Sequence, residues 1–335
     1  MKKEDLRIVF MGTPEFAVET LDALVKNDYN VVAVVTQPDK PVGRHGSVLQ
    51  PSQVKQYALE HNLPVLQPVK MKDEAFVEEL RSYKANLQVV VAFRMLPEVV
   101  WAMPEYGTFN VHAALLPQYR GAAPINWAVI NGETRTGVTT FFLDHDIDTG
   151  RVIMQKPFDI LDEYNVENVY DGLMHLGAEI CLDTLQCIID ADGHPDAIPQ
   201  EQLITAGETL LPAPKIFKET CEIDWSKDAK QVYDFVRGLS PYPGAWTTLV
   251  DDEGRETVLK IYSAKKTGIA VATGQMAESA SEAGGIVIRE KRQLCVVAGD
   301  GLLLQLDEVQ LAGKKRMKAQ DFINGMKKLA QSRLK

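Results

Sequence analysis

Hydrophobic and polar residues follow two alternating patterns along residues 1–206. Short apolar, β-branched runs, such as 31–36 and 87–92, are typical of strands that are buried on both faces. Stretches with apolar residues three and four positions apart, such as 14–25, 52–61 and 163–191, predict helices. Because strands that alternate with helices form parallel sheets covered by helices, this part of the chain is predicted to be an α/β domain.

The pattern changes after Gly207, where a connector containing prolines leads to a predicted helix at 228–238. Short, evenly spaced strands are predicted beyond it, at 245–250, 257–263, 285–289, 294–297 and 302–306. Such strands are typical of a small barrel or sandwich. The stretch 267–284, rich in Gly, Ala, Ser and Glu, is predicted to be a mobile loop. We therefore expect two domains, at 1–206 and 207–335.

Composition narrows the class of protein. A chain of 335 residues, 45% hydrophobic and 24% charged, is typical of a soluble protein with two domains. The four cysteines lack metal-ligand spacing, no apolar run reaches membrane-spanning length, and the charged amino terminus is unlike a signal peptide. We expect a cytoplasmic protein with no metal site and no membrane partner.

Charge alone argues against a nucleic-acid partner, because phosphate repels an acidic surface and the net charge is −10. The carboxyl-terminal stretch is nevertheless basic and includes Lys314, Lys315 and Arg316. A basic run of this kind is usually a solvated surface.

The first strand and the turn after it exclude a common class of cofactor. The turn has a single glycine, Gly12, where the dinucleotide-binding fingerprint needs three. Phe16 would also block the close backbone approach of a pyrophosphate. A nicotinamide or flavin enzyme is therefore excluded.

Residues suited to catalysis lie at the end of a predicted strand. Asn110 and His112 are two positions apart, so their side chains leave the same face of that strand. They also lie near its carboxyl end, where open α/β sheets bind ligands. The segment 143–150 supplies candidate carboxylates, among them Asp144 and Asp148.

An asparagine, a histidine and an aspartate together suit acyl transfer to an amine. Attack by the amine creates an oxyanion, to which the Asn110 amide can donate a hydrogen bond. His112 can move the proton from the amine to the leaving nitrogen, and Asp148 can orient and stabilise the imidazole. No covalent nucleophile is needed, because an amine is already competent.

The segment 109–124, FNVHAALLPQYRGAAP, resembles the catalytic loop of methionyl-tRNA formyltransferases. The resemblance extends to FMGTPEF at 10–16, TQPDKP at 36–41, DTG at 148–150, IDW at 223–225 and GKK at 313–315. It implies a Rossmann-like formyltransferase domain followed by a small OB-like barrel. It also implies an enzyme that transfers a formyl group from 10-formyltetrahydrofolate to the α-amine of initiator methionyl-tRNA, with Asn110, His112 and Asp148 as catalytic residues. We expect this enzyme to be a monomer.

The resemblance also implies two sets of binding residues. The folate donor would contact Phe93, Arg94, Met95, Leu96, Leu115, Leu116, Pro117 and Asp144. The tRNA would contact Lys40, Arg44, Lys314, Lys315 and Arg316. Three sites in the sequence depart from the family pattern: Phe93-Arg94 replaces Tyr-Gly, Ala114 replaces serine, and His45-Gly46-Ser47 follows Arg44 where relatives often have lysines.

Two alternatives belong to other functional classes. A formyltransferase acting on an amino sugar nucleotide would share the catalytic residues, but the TQPD loop and the basic carboxyl-terminal stretch argue against it. A non-catalytic RNA-binding protein on the same scaffold would have little reason to retain Asn110, His112 and Asp148 together.

Overall fold

The computed structural model describes residues 1–42, 48–271, 282–326 and 328–335. The chain divides into two compact units. The first unit comprises Met1–Pro124, Arg135–Asp159 and Tyr170–Pro212, and the second comprises Ile125–Thr134, Ile160–Val169 and Ala213–Lys335. The expected domain boundary between residues 206 and 207 stays a prediction.

The first unit is built on a seven-stranded sheet in the order β5-β2-β1-β6-β7-β8-β9, with a separate hairpin of β3 and β4. Its strands are β1 (Ile8–Gly12), β2 (Val31–Val35), β3 (Lys40–Val42), β4 (Val48–Gln50), β5 (Val65–Leu66), β6 (Leu87–Val91), β7 (Thr108–His112), β8 (Arg135–Phe142) and β9 (Val152–Asp159). Neighbouring strands pair in parallel along the part of the sheet formed by β5, β2, β1, β6 and β7, which confirms the predicted Rossmann-like fold.

The last two strands correct the expectation of a wholly parallel sheet. Strand β8 pairs antiparallel with β7, and β9 pairs antiparallel with β8. A parallel return needs a crossover of a dozen or more residues, usually a helix, whereas the chain between β8 and β9 holds only the turn at 143–151. That turn carries Asp148, so the antiparallel hairpin is what brings it beside the end of β7.

The helices in chain order are α1 (Glu15–Lys26), α2 (Gln53–Glu60), α3 (Glu74–Ser82), α4 (Glu98–Trp101), α5 (Pro124–Ile130), α6 (Val166–Asp190), α7 (Ala229–Gly238) and α8 (Ala319–Gly325). The helices predicted at 14–25, 52–61, 163–191 and 228–238 are confirmed as α1, α2, α6 and α7. Ser52 and Asp73 cap α2 and α3 by accepting hydrogen bonds from backbone N–H groups of the first turn. The sequence interpretation did not assign α3, although Asp73 and the apolar spacing of Phe76, Val77 and Leu80 mark it.

Helix α6 is long and apolar enough to cross a membrane, judged by its length and composition alone. Half of its apolar window (50%) is buried within the protein, and the core helices of globular proteins satisfy the same criterion. Within the first unit it packs against the sheet. There Thr184 and Thr140 share a buried hydrogen bond, and Gly177 lies against Val111.

The second unit is a curled antiparallel sheet with α7 and α8 packed on it, which confirms the predicted OB-like barrel class. Its strands are β10 (Ala245–Val250), β11 (Glu256–Ala270), β12 (Ile286–Arg289), β13 (Gln293–Val297), β14 (Leu302–Leu311), β15 (Met317–Lys318) and β16 (Arg333–Leu334). The order is β12-β13-β14-β11-β10-β16, with β15 beside β14. Its core includes Trp225, Val236, Leu259 and Phe322.

The loop predicted at 267–284 is wrong at its start. Strand β11 continues to Ala270 because β14 offers pairing partners that far, with Ala264 opposite Leu306 and Ala270 opposite Leu302. The change to polar composition after Ser263 reflects the solvated position of this part of the strand and not its end. Residues 272–281 of the predicted loop lie outside the described residues.

Candidate active site

The candidate site is built at the carboxyl end of β7. Asn110 and His112 leave the same face of this strand, as their spacing predicts, and lie opposite Phe141 and Thr139 of β8. The Oδ1 atom of Asn110 is buried and has no hydrogen-bond partner among the described residues. A buried amide oxygen without a partner is costly, and because the amide can rotate, either its oxygen or its N–H₂ group can meet a ligand. Asn110 is therefore placed to bind something that the protein itself does not supply.

His112 is held through one ring nitrogen, Nε2, and is only 6% exposed. Its Nε2 lies 2.9 Å from the carbonyl oxygen of Tyr119. Since a carbonyl can only accept, Nε2 carries the hydrogen and donates it. Nδ1 then remains as the nitrogen that can take up a proton, and it lies 3.9 Å from Oδ2 of Asp148. This separation is too long for a hydrogen bond but short enough for the carboxylate to stabilise an imidazolium ion.

Asp148 is fixed by the loop that follows β7. Its Oδ2 accepts a hydrogen bond of 3.0 Å from the backbone N–H of Gly121, and its side chain is 14% exposed. Its backbone is left-handed, with φ of 56°. Aspartate tolerates this region better than most residues, so the turn at 143–151 can point the carboxylate toward His112.

The loop after His112 is anchored by two polar side chains from the neighbouring hairpin. Oγ1 of Thr139 donates to the carbonyl of Ala114 (2.6 Å) and accepts from the N–H of Leu116 (3.0 Å). Nε2 of Gln155 donates to the carbonyl of Leu116 and to the Thr139 hydroxyl. Ala114 is fully buried and takes part through its backbone carbonyl, so this anchoring needs no side-chain hydroxyl at position 114.

The predicted folate contacts occupy unequal environments. Phe93 and Leu96 pack against the apolar cluster around Val9, Met11 and Val100, and Leu116 lies in a second cluster with Phe141 and Val152. Met95 is 70% exposed. Leu115 is half-buried and Pro117 is buried, both in the loop anchored by Thr139. Asp144 is an exposed turn residue that accepts hydrogen bonds from Thr149 and Asp146. Their contact with a folate stays a prediction.

Arg94 is tied to a neighbouring loop. Its guanidinium donates to the carbonyl oxygens of Pro68 and Val69 and lies 5.7 Å from the ring centroid of Phe93. Burial lowers the pKa of this guanidinium, and its Nε has no partner among the described residues. In this arrangement the side chain acts as a clamp between two loops of the first unit.

The two predicted tRNA contacts of the first unit are Lys40 and Arg44. Lys40 begins β3 and is exposed, whereas Arg44 falls within 43–47, outside the described residues. The base of the hairpin is fixed by Asp39, which accepts hydrogen bonds from Lys55 and Gln67. The hydrogen bond from Lys55, followed by that from Gln67, lowers the pKa of the Asp39 carboxyl.

In the second unit the three predicted tRNA contacts differ in their surroundings. Lys314 and Lys315 follow β14 and are exposed. The guanidinium of Arg316 lies 4.4 Å from the ring centroid of Tyr262 and pairs with Glu308. Arg316 is therefore already engaged within its own unit.

The sequence interpretation missed three further residues of the site: Gln200, Thr139 and Gln155. Thr139 and Gln155 belong to β8 (RTGVTTFF) and β9 (VIMQKPFD), which contain β-branched and aromatic residues without a two-residue alternation. The local sequence therefore does not mark the roles of these side chains. Gln200 begins a short 3-10 helix after α6, where no local pattern marks it.

The arrangement can transfer an acyl group to an amine. It offers a neutral amide for an oxyanion, an imidazole nitrogen to relay a proton, and a carboxylate to stabilise the resulting charge. In the part of the chain that the structure describes, no three His, Cys, Asp or Glu side chains are grouped to hold a metal ion.

Comparison with known proteins gives a consistent result. Residues 6–185 match the formyl transferase family model, and residues 215–327 match the model of the formyl transferase C-terminal domain. The methionyl-tRNA formyltransferase of Parabacteroides distasonis is 60% identical over 331 residues, covering 99% of each chain.

Two solved structures share the fold. HypX from Aquifex aeolicus in complex with tetrahydrofolic acid has a TM-score of 0.59 and 17% identity, covering 95% of this chain and 47% of its own. The N-formyltransferase from Helicobacter canadensis, in complex with folinic acid and dTDP-3-aminofucose, has a TM-score of 0.60 and 18% identity, covering 90% of this chain and 98% of its own. At these identities the likeness concerns the fold alone.

Proposed function

Because this chain belongs to the methionyl-tRNA formyltransferase family, we propose that it transfers the formyl group of 10-formyltetrahydrofolate to the α-amine of initiator methionyl-tRNA. The observation that carries the proposal is the cluster of Asn110, His112 and Asp148 in a chain that is 60% identical, over nearly its whole length, to a methionyl-tRNA formyltransferase. A cytoplasmic location and a monomeric state stay predictions.

Each catalytic residue has one task in this proposal. The amine nitrogen bonds to the formyl carbon, and the negative charge that develops on the formyl oxygen is stabilised by the N–H₂ group of Asn110. Nδ1 of His112 accepts the proton that the amine loses and delivers it to the leaving nitrogen of the folate as that carbon–nitrogen bond breaks. Asp148 stabilises the imidazolium ion between these two events.

A folate donor is supported by the family and by the tetrahydrofolate complex of a protein with the same fold. The unpartnered amide of Asn110 fits a formyl group, because it can serve a carbonyl oxygen or an amine hydrogen. We place the donor along Phe93, Arg94, Met95 and Leu96, and beside Leu115, Leu116, Pro117 and Asp144. Met95, which is 70% exposed, offers the free apolar surface among them.

A tRNA acceptor is supported by the similarity of this chain to methionyl-tRNA formyltransferases and by exposed basic residues in both units. Lys40, Lys314 and Lys315 are exposed, and each could bind a phosphate of the tRNA backbone. Arg44 is assigned to the acceptor end by resemblance. We expect a smaller contribution from Arg316, because binding a phosphate would compete with its existing pair with Glu308.

Three acceptors offered in parallel test the function. Purified protein and 10-formyltetrahydrofolate are incubated with initiator methionyl-tRNA, elongator methionyl-tRNA or an amino sugar nucleotide. We expect formylated product on the initiator alone. Product on the sugar alone would overturn the acceptor while retaining the chemistry, and no product from folded protein would favour a non-catalytic role.

Replacing Arg44 with alanine is expected to raise KM for methionyl-tRNA and to leave KM for the folate unchanged, because the residue is proposed to bind the acceptor alone. Steady-state kinetics with each substrate varied in turn measure both constants. Lys26→Ala, which removes an exposed lysine at the end of α1, is the matched control. Equal increases in both constants would contradict the assignment.

A further inference from the structure

Gln200 is a fully buried glutamine (0% exposed) that joins the two loops of the candidate site. It lies in the first turn of a 3-10 helix, Gln200–Leu203, and is remote in sequence from both loops. Fully buried amide side chains are uncommon, and they occur where every polar atom finds a partner.

One end of the Gln200 amide holds the turn that carries Asp148. Its Nε2 donates to the carbonyl oxygens of Asp148 and Gly150, each at 2.8 Å. These two bonds use both hydrogens of the amide nitrogen. They fix the backbone of the catalytic aspartate itself, which has the left-handed conformation described above.

The other end of the amide holds the loop that follows His112. Its Oε1 accepts from Nε and Nη2 of Arg120, at 3.0 and 2.7 Å. Arg120 lies between Tyr119, whose carbonyl binds His112, and Gly121, whose N–H binds Asp148. The amide therefore connects both backbone segments that determine the 3.9 Å separation of His112 and Asp148.

From this geometry we propose that Gln200 is a positioning residue, which sets the place of Asp148 relative to His112 during formyl transfer. The inference rests on the proposed function and deepens it. Gln200 does not touch the reacting atoms. It acts through Asp148 and through the loop at 119–121, and both its donors and its acceptor are needed.

Two substitutions separate the parts of this amide. Gln200→Met retains the size of the side chain and removes all four hydrogen bonds. Gln200→Glu retains the acceptor for Arg120, but it replaces the two N–H donors with a carboxylate oxygen that the carbonyls of Asp148 and Gly150 repel. Because a misplacement of about 1 Å can cost about 10²-fold in rate, we expect both variants to lose ~10- to 10²-fold in kcat. KM for the folate and for methionyl-tRNA should change by less than about 2-fold, since neither substrate is proposed to contact this residue.

Gln202→Met is the matched control, because Gln202 is exposed and lies in the same short helix. It should retain the kcat of the unmodified protein. If the unmodified protein and this control are both inactive on every acceptor, the proposed function fails and the role of Gln200 in it fails too. If both are active and Gln200→Met keeps its kcat, only the positioning role is overturned.

A double-mutant cycle distinguishes positioning from a general structural role. In an Asp148→Ala background, Gln200→Met should lower the single-turnover rate by clearly less than it does in the unmodified protein, because one of the two groups whose separation it sets is already absent. If the rate loss of the double variant equals the product of the losses of the two single variants, the proposal is overturned. Circular dichroism and thermal unfolding of each variant identify a loss of folded protein, and Gln200→Glu, which keeps the pairing with Arg120, tests the same role if the methionine variant unfolds.

Discussion

Replacing His112 with alanine is expected to lower kcat for formyl transfer by at least ~10²-fold and to leave the binding of methionyl-tRNA nearly intact. Its Nδ1 is the ring nitrogen free to accept a proton, since Nε2 donates to the carbonyl of Tyr119. Without this nitrogen, the proton of the attacking amine must pass to water. Water has little access to this position, because His112 is buried. Single-turnover rates and equilibrium binding of the tRNA measure the two effects separately.

His61→Ala serves as the control for the His112 substitution. His61 is exposed, stacks on Tyr57 at the end of α2, and is not part of the site. The kcat of the His61→Ala variant should equal that of the unmodified enzyme. Undiminished turnover in folded His112→Ala protein would remove His112 from the mechanism.

Replacing Asn110 with alanine is expected to cost about 10²- to 10³-fold in kcat, which is the usual effect of removing one hydrogen-bond donor to an oxyanion. Asn110→Asp gives a sharper test, because aspartate has nearly the same size but offers no N–H donor. We expect a loss at least as large, since a carboxylate would also repel the developing negative charge.

The matched control for Asn110 is Asn30→Ala, which alters an exposed asparagine before β2. Rates are measured at saturating concentrations of both substrates, so that weaker binding does not enter the result. An Asn110→Asp enzyme with normal kcat would show that the amide does not donate to the oxyanion. The role of His112 would be unaffected by that outcome.

The parts of the site that could be predicted from sequence are those with a local signal. The two-residue period of a strand places Asn110 and His112 on one face, and the apolar run before them identifies the strand. The alternation of strands and helices likewise predicts the parallel part of the sheet, and the short strands after Gly207 predict the barrel.

The parts that could not be predicted depend on contacts between distant segments. The hydrogen bonds of Gln200 join residues 50 or more positions apart, and no periodicity records such a partner. The direction of β8 follows from how the chain returns along β7, and the full length of β11 follows from its pairing with β14. In each case the decisive interaction is tertiary, so the local composition of the segment was a poor guide.

The main chain supplies much of the framework around His112 and Asp148: the carbonyl of Tyr119, the N–H of Gly121, and the two carbonyls that Gln200 holds. Such a framework is insensitive to side-chain identity and sensitive to conformation, since Tyr119 and Gly121 have φ of 59° and 128°. During evolution, side chains of this loop could therefore change while selection maintained its backbone conformation. For engineers who seek new acceptors, side chains in this segment other than that of Arg120, which binds Gln200, are open to redesign wherever the replacement tolerates the same backbone angles.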